Sequence, residues 1–221
     1  MASTVTRFSF IVAITAILTT GCWGPAPESG QHAELYGNCI SCHMENGGGK
    51  HEILAPAIAG LPQWYVEESI KKFRTGVRGS HFYDVAGMRM RPMARTLRAD
   101  QIPLIAKYVA EMKPVEQKKT LEGGDPEKGK ALFAVCTACH GADGSGGILI
   151  DGKAGPNSGP PINRMSDWYL YEQLAKFRSG MRGVDAVKDP NGYMMAQTAM
   201  TNLKTEESVK DVIAYIRTLG K

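Results

Sequence analysis

Apolar residues fall at helical spacing in two stretches of the chain. Ile102, Ile105, Ala106 and Val109 form one stripe, and Val209, Val212, Ile213 and Ile216 form another with the same gaps. That period predicts an amphipathic helix at each place, one face turned to a core. The second has a clear start signal, with Thr205 as N-cap and Glu206 and Glu207 in the first turn. Asp125 followed by Pro126 predicts another helix start, as N-cap and first helical residue. No segment alternates apolar and polar residues over the length of a strand, so the expected class is all-α.

The pattern occurs twice. Residues 64–79 read WYVEESIKKFRTGVRG and residues 168–183 read WYLYEQLAKFRSGMRG. Upstream of these, APAIAG at 55–60 parallels GPPINR at 159–164. Each half then has a methionine-rich segment and one of the two amphipathic helices. Between the halves, residues 113–124 are polar and punctuated by glycine and proline, which reads as a linker. The expected organisation is a leader over 1–21, a first domain over 22–112, the linker, and a second domain over 125–221. Domains this small have a limited core of their own.

Composition narrows the class only slightly. Over 221 residues, 8% aromatic and 22% charged content are ordinary for a globular protein, and a surplus of four positive charges is too small to imply nucleic acid. The N-terminus says more. Arg7 precedes an apolar run at 8–18 and then TTGC at 19–22, the layout of a secretory signal. Cys22 has the setting of a lipoprotein cysteine, although Leu18 stands one residue further from it than the usual pattern places its aliphatic residue. Lipidation there would tether the protein to a membrane surface; cleavage nearby would leave it soluble in the periplasm, and an uncleaved anchor is a third reading.

The chemistry lies in NCISCH at 38–43 and VCTACH at 135–140. Cys39 and Cys42 sit one helical turn apart, so their sulfurs share a face, and so do Cys136 and Cys139. Such a pair can form thioethers to the two vinyl groups of one porphyrin, with His43 or His140 as the proximal iron ligand. A zinc site shared by the four cysteines, or a redox dithiol, leaves both histidines without a purpose. Two haem c groups are therefore expected. The sixth ligand would come from Met88, Met90 or Met93 in the first half and from Met194, Met195 or Met200 in the second. Alignment of Asp84 and Gly87 with Asp189 and Gly192 pairs Met90 with Met195. Methionine is otherwise a filler of cores. Of the remaining histidines, His32, His51 and His81, only His81 stands at a distal position, and the second half has no counterpart to it.

Two C-x-x-C-H modules, each followed by Pro-x-Ile, an aromatic pair, K-F-R-x-G-x-R-G, a methionine segment and a terminal helix, resemble the dihaem cytochrome c4 family over essentially the whole mature chain. The resemblance implies two class I cytochrome c domains, His/Met ligation of each haem, and electron carriage rather than catalysis. In the family pattern the ligand stands two residues before the proline of M-x-P-M, which is Met90 here. The second half lacks that proline, so Met195 has Met194 as its rival. Pro56 and Pro160 resemble the prolines whose carbonyls orient the proximal imidazole. Trp64, Tyr65, Trp168 and Tyr169 are read either as hydrogen-bond donors to haem propionates or as packing residues. Arg74, Arg78, Arg178 and Arg182 are read either as propionate partners or as a solvated face.

The expected partners are redox proteins, a membrane donor complex and a terminal oxidase, in the periplasm or on a membrane surface, with no small-molecule substrate. A dihaem peroxidase with one openable haem is the alternative, as is a cytochrome subunit of a larger membrane oxidoreductase.

Overall fold

The computed structural model describes residues 28–147, 149–150, 153–154 and 158–220. Cys22 and the leader before it lie outside the described residues, as does the side chain of His32. In the first half, α1 (Glu28–His43) runs through the C-x-x-C-H motif and a 3-10 turn follows at His51–Ile53. Then come α2 (Gln63–Thr75), α3 (Val85–Thr96) and α4 (Gln101–Glu111). In the second half, α5 (Pro126–Phe133) passes through a 3-10 turn into the single turn of α6 (Thr137–His140). It is followed by α7 (Asp167–Arg178), α8 (Pro190–Asn202) and α9 (Glu206–Leu219).

Each half closes by packing its first helix on its last, α1 on α4 and α5 on α9. The two apolar stripes are the buried faces of α4 and α9. Tyr36 meets Tyr108 and Phe133 meets Tyr215 at these crossings, each with ring centroids 5.4 Å apart. Burying such rings supplies much of what a small core has to offer. Helix starts follow local chemistry. Asp125 caps α5 by accepting from the N–H groups of Glu127 and Lys128, and Thr205 forms a capping box with Ser208 on α9.

Two features depart from a purely helical reading. Leu149–Ile150 pairs antiparallel with Lys153–Ala154, and Lys50 bridges Ala55 in the first half. Both pairings close the loop that follows a C-x-x-C-H motif, and they are too short to show as alternation in sequence. Residues 113–125 have no helix, yet they are strapped to the second domain. The buried carboxylate of Asp167 accepts hydrogen bonds from the Thr120 N–H (2.8 Å), the Thr120 hydroxyl (2.7 Å) and the Leu121 N–H (3.1 Å). Burial pushes the Asp167 pKa up, but these donors together hold it below the usual carboxylate value.

Candidate haem sites

In both halves the chain from the motif histidine loops back and presents a proline carbonyl to it. Nδ1 of His43 donates to the Pro56 carbonyl at 2.9 Å, and Nδ1 of His140 donates to the Pro160 carbonyl at 2.8 Å. The loops span 13 and 20 residues, so the contact is kept although the second loop is longer. With Nδ1 engaged, Nε2 is the nitrogen left to bind a metal. Burial lowers the pKa of both imidazoles, outweighing the opposite pull of the proline carbonyls, so each ring is neutral at neutral pH.

Each histidine lines a cavity together with the two cysteines of its motif. The cavities hold about 1400 Å³ in the first half and about 1250 Å³ in the second, mouths included. Native cores have few voids larger than a water molecule, so two spaces of matching size are sites rather than packing faults. Their walls are mainly apolar, with Val66, Ile70 and Phe73 in the first and Leu170, Leu174 and Phe177 in the second. As free thiols, Cys39 and Cys136 are pushed up to about 11 by burial and then by the neighbouring cysteine. That is the reverse of the lowered pKa of a reactive dithiol. Among the described residues no three His, Cys, Asp or Glu side chains converge on one point.

The methionines separate by placement. Asp84 caps α3 by accepting from the Gly87 N–H at 3.0 Å, and Asp189 caps α8 by accepting from the Gly192 N–H at 3.0 Å. Met90 and Met195 follow their caps at the same distance along the helix, and both are half-buried in their cavities. Met93 and Met194 also line the cavities but are 40% and 46% exposed. Met88 and Met200 line neither. Leu97 and Leu203 end the two helices, and the extra residue of the second half lies within α8.

The remaining expected residues divide. Arg74 donates to the Leu97 carbonyl and Arg178 to the Lys204 carbonyl, tying α2 and α7 to the chain after the methionine helix. Neither arginine lines a cavity, because the helix directs both to the far side. Arg78 and Arg182 do line them, resting over the rings of Phe73 and Phe177 at 4.3 and 4.4 Å. Trp64 lines the cavity of the opposite domain, and Trp168 lines neither but stacks on His51 at 4.7 Å. His81 stacks on Phe82 and lies outside both cavities, so it is not placed as an iron ligand.

Sequence reasoning missed that the two sites share an interface. Tyr65 and Tyr169 line both cavities. Arg78 reaches the Tyr169 hydroxyl and Gln173 at 3.4 Å, and Arg182 hydrogen-bonds Tyr65 in return. Lys72 pairs with Asp189 at 2.9 Å and Lys176 with Asp84 at 2.8 Å. The lysine–aspartate pairs and the arginine–tyrosine contacts are mirrored between the halves, the mark of a pseudo-twofold interface. The available signal was the repeated K-F-R-x-G-x-R-G run itself.

The interface also tests the fit of a haem. Burial, then the charge of Arg78, lowers the pKa of Arg182, and its Nε is buried without a hydrogen-bond partner. The guanidinium groups of Arg78 and Arg182 at the cavity walls suit anions, which haem propionates supply. The residues present fit one haem c in each cavity.

The sequence model of the Cytochrome c family matches residues 31–113 and 126–220. The chain belongs to the cytochrome c family. Among its relatives is cytochrome c-552 of Acidithiobacillus ferridurans, 27% identical over 191 residues, covering 82% of this chain and 74% of that protein. The thiosulfate dehydrogenase electron acceptor of Thiomonas intermedia is also 27% identical, over 198 residues, covering 83% and 78%. Among solved structures, cytochrome c4 of Acidithiobacillus ferrooxidans superposes with a TM-score of 0.62 at 28% identity, covering 82% of this chain and 98% of that one. The cytochrome is thus a dihaem electron-transfer protein of the cytochrome c4 type with two covalent haem c groups.

Proposed function

We propose that the cytochrome is an exported one-electron carrier in the periplasm, held at a membrane surface by a lipid on Cys22, that passes electrons from a membrane donor complex towards a terminal oxidase. Each haem c supplies one reversible electron when bound. The ligands are His43 and Met90 in the first domain and His140 and Met195 in the second. One observation supports this reading above others. Each cavity pairs a histidine whose Nδ1 is already engaged with a single half-buried methionine on a capped helix. With both ligands bound, each iron would be six-coordinate, with no position for a substrate. A methionine thioether favours the reduced iron and raises the potential, as suits a carrier.

The residues of the chain orient and insulate. Pro56 and Pro160 hold the imidazoles, the apolar walls keep water out, and Arg78 and Arg182 balance the propionates. The way from one cavity to the other runs through Tyr65 and Tyr169, which belong to both walls.

The likeness to a thiosulfate dehydrogenase electron acceptor over most of the chain favours a second reading, in which the donor is a thiosulfate dehydrogenase. A redox titration of the holoprotein, followed by visible absorption, tests the carrier reading. Two high-potential transitions, each with the weak long-wavelength absorption of methionine on ferric iron, are expected. One low-potential haem that lacks this absorption and binds cyanide readily when ferric would point instead to peroxidase chemistry. Reduction of the protein by thiosulfate plus a thiosulfate dehydrogenase, but not by a quinol-oxidising membrane complex, would select the second donor.

A further inference from the structure

We propose that each domain positions the axial methionine of the other, with Lys176 acting on Met90 and Lys72 acting on Met195. The inference rests on the ligand assignment above. Lys176, on α7 of the second domain, places its Nζ 2.8 Å from Oδ1 of Asp84. The same oxygen accepts the Gly87 N–H that starts α3. Lys72, on α2 of the first domain, places its Nζ 2.9 Å from Oδ1 of Asp189, which accepts the Gly192 N–H that starts α8. One carboxylate oxygen therefore ties the first turn of each methionine helix to a lysine of the other domain.

The joint is built to be stiff. Asp84, Asp189 and Lys176 are all buried. A Cβ on Gly87 would fall 2.2 Å from Oδ2 of Asp84 and 2.8 Å from the Cα of Gly79, so this turn is seated between the cap and the chain after α2. Gly192 meets Asp189 in the same way, at 2.1 Å. Met90 and Met195 follow less than two turns later. A shift of the cap tilts the helix and moves the sulfur.

Adhesion alone is a poor account of these pairs. A buried ion pair costs about as much in desolvation as it returns, and an apolar pair often holds an interface as well. Two pairs at equivalent places, one buried and one half-buried, each on the cap of a ligand helix, are better explained by register. The domains then meet in the one arrangement that sets both methionines, each through its own lysine.

The test uses the holoprotein and treats the two haems as separate reporters. Met90→Ala and Met195→Ala are each expected to abolish the methionine absorption of one haem, which assigns the signals. If neither does, the ligand assignment fails. With signals assigned, Lys176→Met is expected to weaken the methionine absorption of the first-domain haem alone. Its ferric cyanide affinity should rise about tenfold, the scale of one lost charge-assisted hydrogen bond. Lys72→Met is expected to do the same to the second-domain haem alone. Lys176→Arg, which keeps the charge, should restore the signal. Variants that leave both haems unchanged, or that disturb both equally, would overturn the proposal. Either lysine variant suffices alone, because the haem of the unaffected site serves as its control for folding.

Discussion

The two halves share a frame and differ on their surfaces. α3 has three arginines, Arg89, Arg91 and Arg95, and no acid; α8, its equivalent, has no charged residue. None of those arginines pairs with a carboxylate among the described residues. Ahead of α3, His81, Phe82 and Tyr83 form a stacked cluster with Phe82 and Tyr83 each 67% exposed, whereas Val184 and Val187 stand in the corresponding loop. The lysine, the phenylalanine and the first arginine of the K-F-R-x-G-x-R-G run, by contrast, do the same job in both halves. The lysine crosses the interface, the phenylalanine lies under an arginine, and the next arginine ties the helix to the chain after the methionine segment. What the haem and the interface require is duplicated. What faces solvent has diverged, so the two haem faces present different surfaces to partners.

Four changes sharpen or break this comparison. The largest effect is expected from Cys136→Ala combined with Cys139→Ala, which should halve the haem that stays on the polypeptide after denaturation and acid extraction. Retention of full haem content would mean that the two motifs are not independent attachment sites. Next, Asp84→Ala removes a cap and leaves the buried Lys176 with its longer 3.8 Å pairing to Glu172, with an expected loss of about 3 kcal/mol in denaturant unfolding. The equivalent Asp189→Ala should cost as much if the interface is symmetric.

A smaller effect concerns pH. Burial raises the Asp84 pKa, but Lys176, the Gly87 N–H and Arg78 outweigh it and hold the carboxyl below its ordinary value. A depressed carboxyl contributes stability that is complete above its unfolded value of about 3.9 and is lost as the pH falls through the folded value. Unfolding midpoints should drop in that acid window, and Asp84→Asn should flatten the slope there. The smallest effect is on encounter. Arg89→Gln with Arg95→Gln should slow electron transfer to an anionic oxidant such as ferricyanide a few-fold at low salt, and added salt should erase the difference. The same oxidant should show no such salt-dependent loss when Tyr193 on α8 is changed to a polar residue.

Much of the site was legible because its chemistry is local. The motifs, their histidines and the proline carbonyls lie within short loops, and alignment of Asp84 with Asp189 pairs Met90 with Met195. Arg74 and Arg178 were harder to place. On a helix they stand one turn from Arg78 and Arg182 in pattern, and only the backbone path showed that they bond carbonyls instead of lining a cavity. Trp64 and Trp168 look equivalent in sequence, yet one lines a cavity and the other stacks on His51.

By itself, then, the amino-acid order determined two covalent haem sites, a helical fold and a duplicated frame, since thioether attachment, helix period and capping depend on residues a few positions apart. The docking of the domains was decided only in three dimensions. Lys72 meeting Asp189, Lys176 meeting Asp84 and Tyr65 standing in both cavities join residues far apart along the chain. No local period encodes such contacts; they depend on how one domain is rotated against the other.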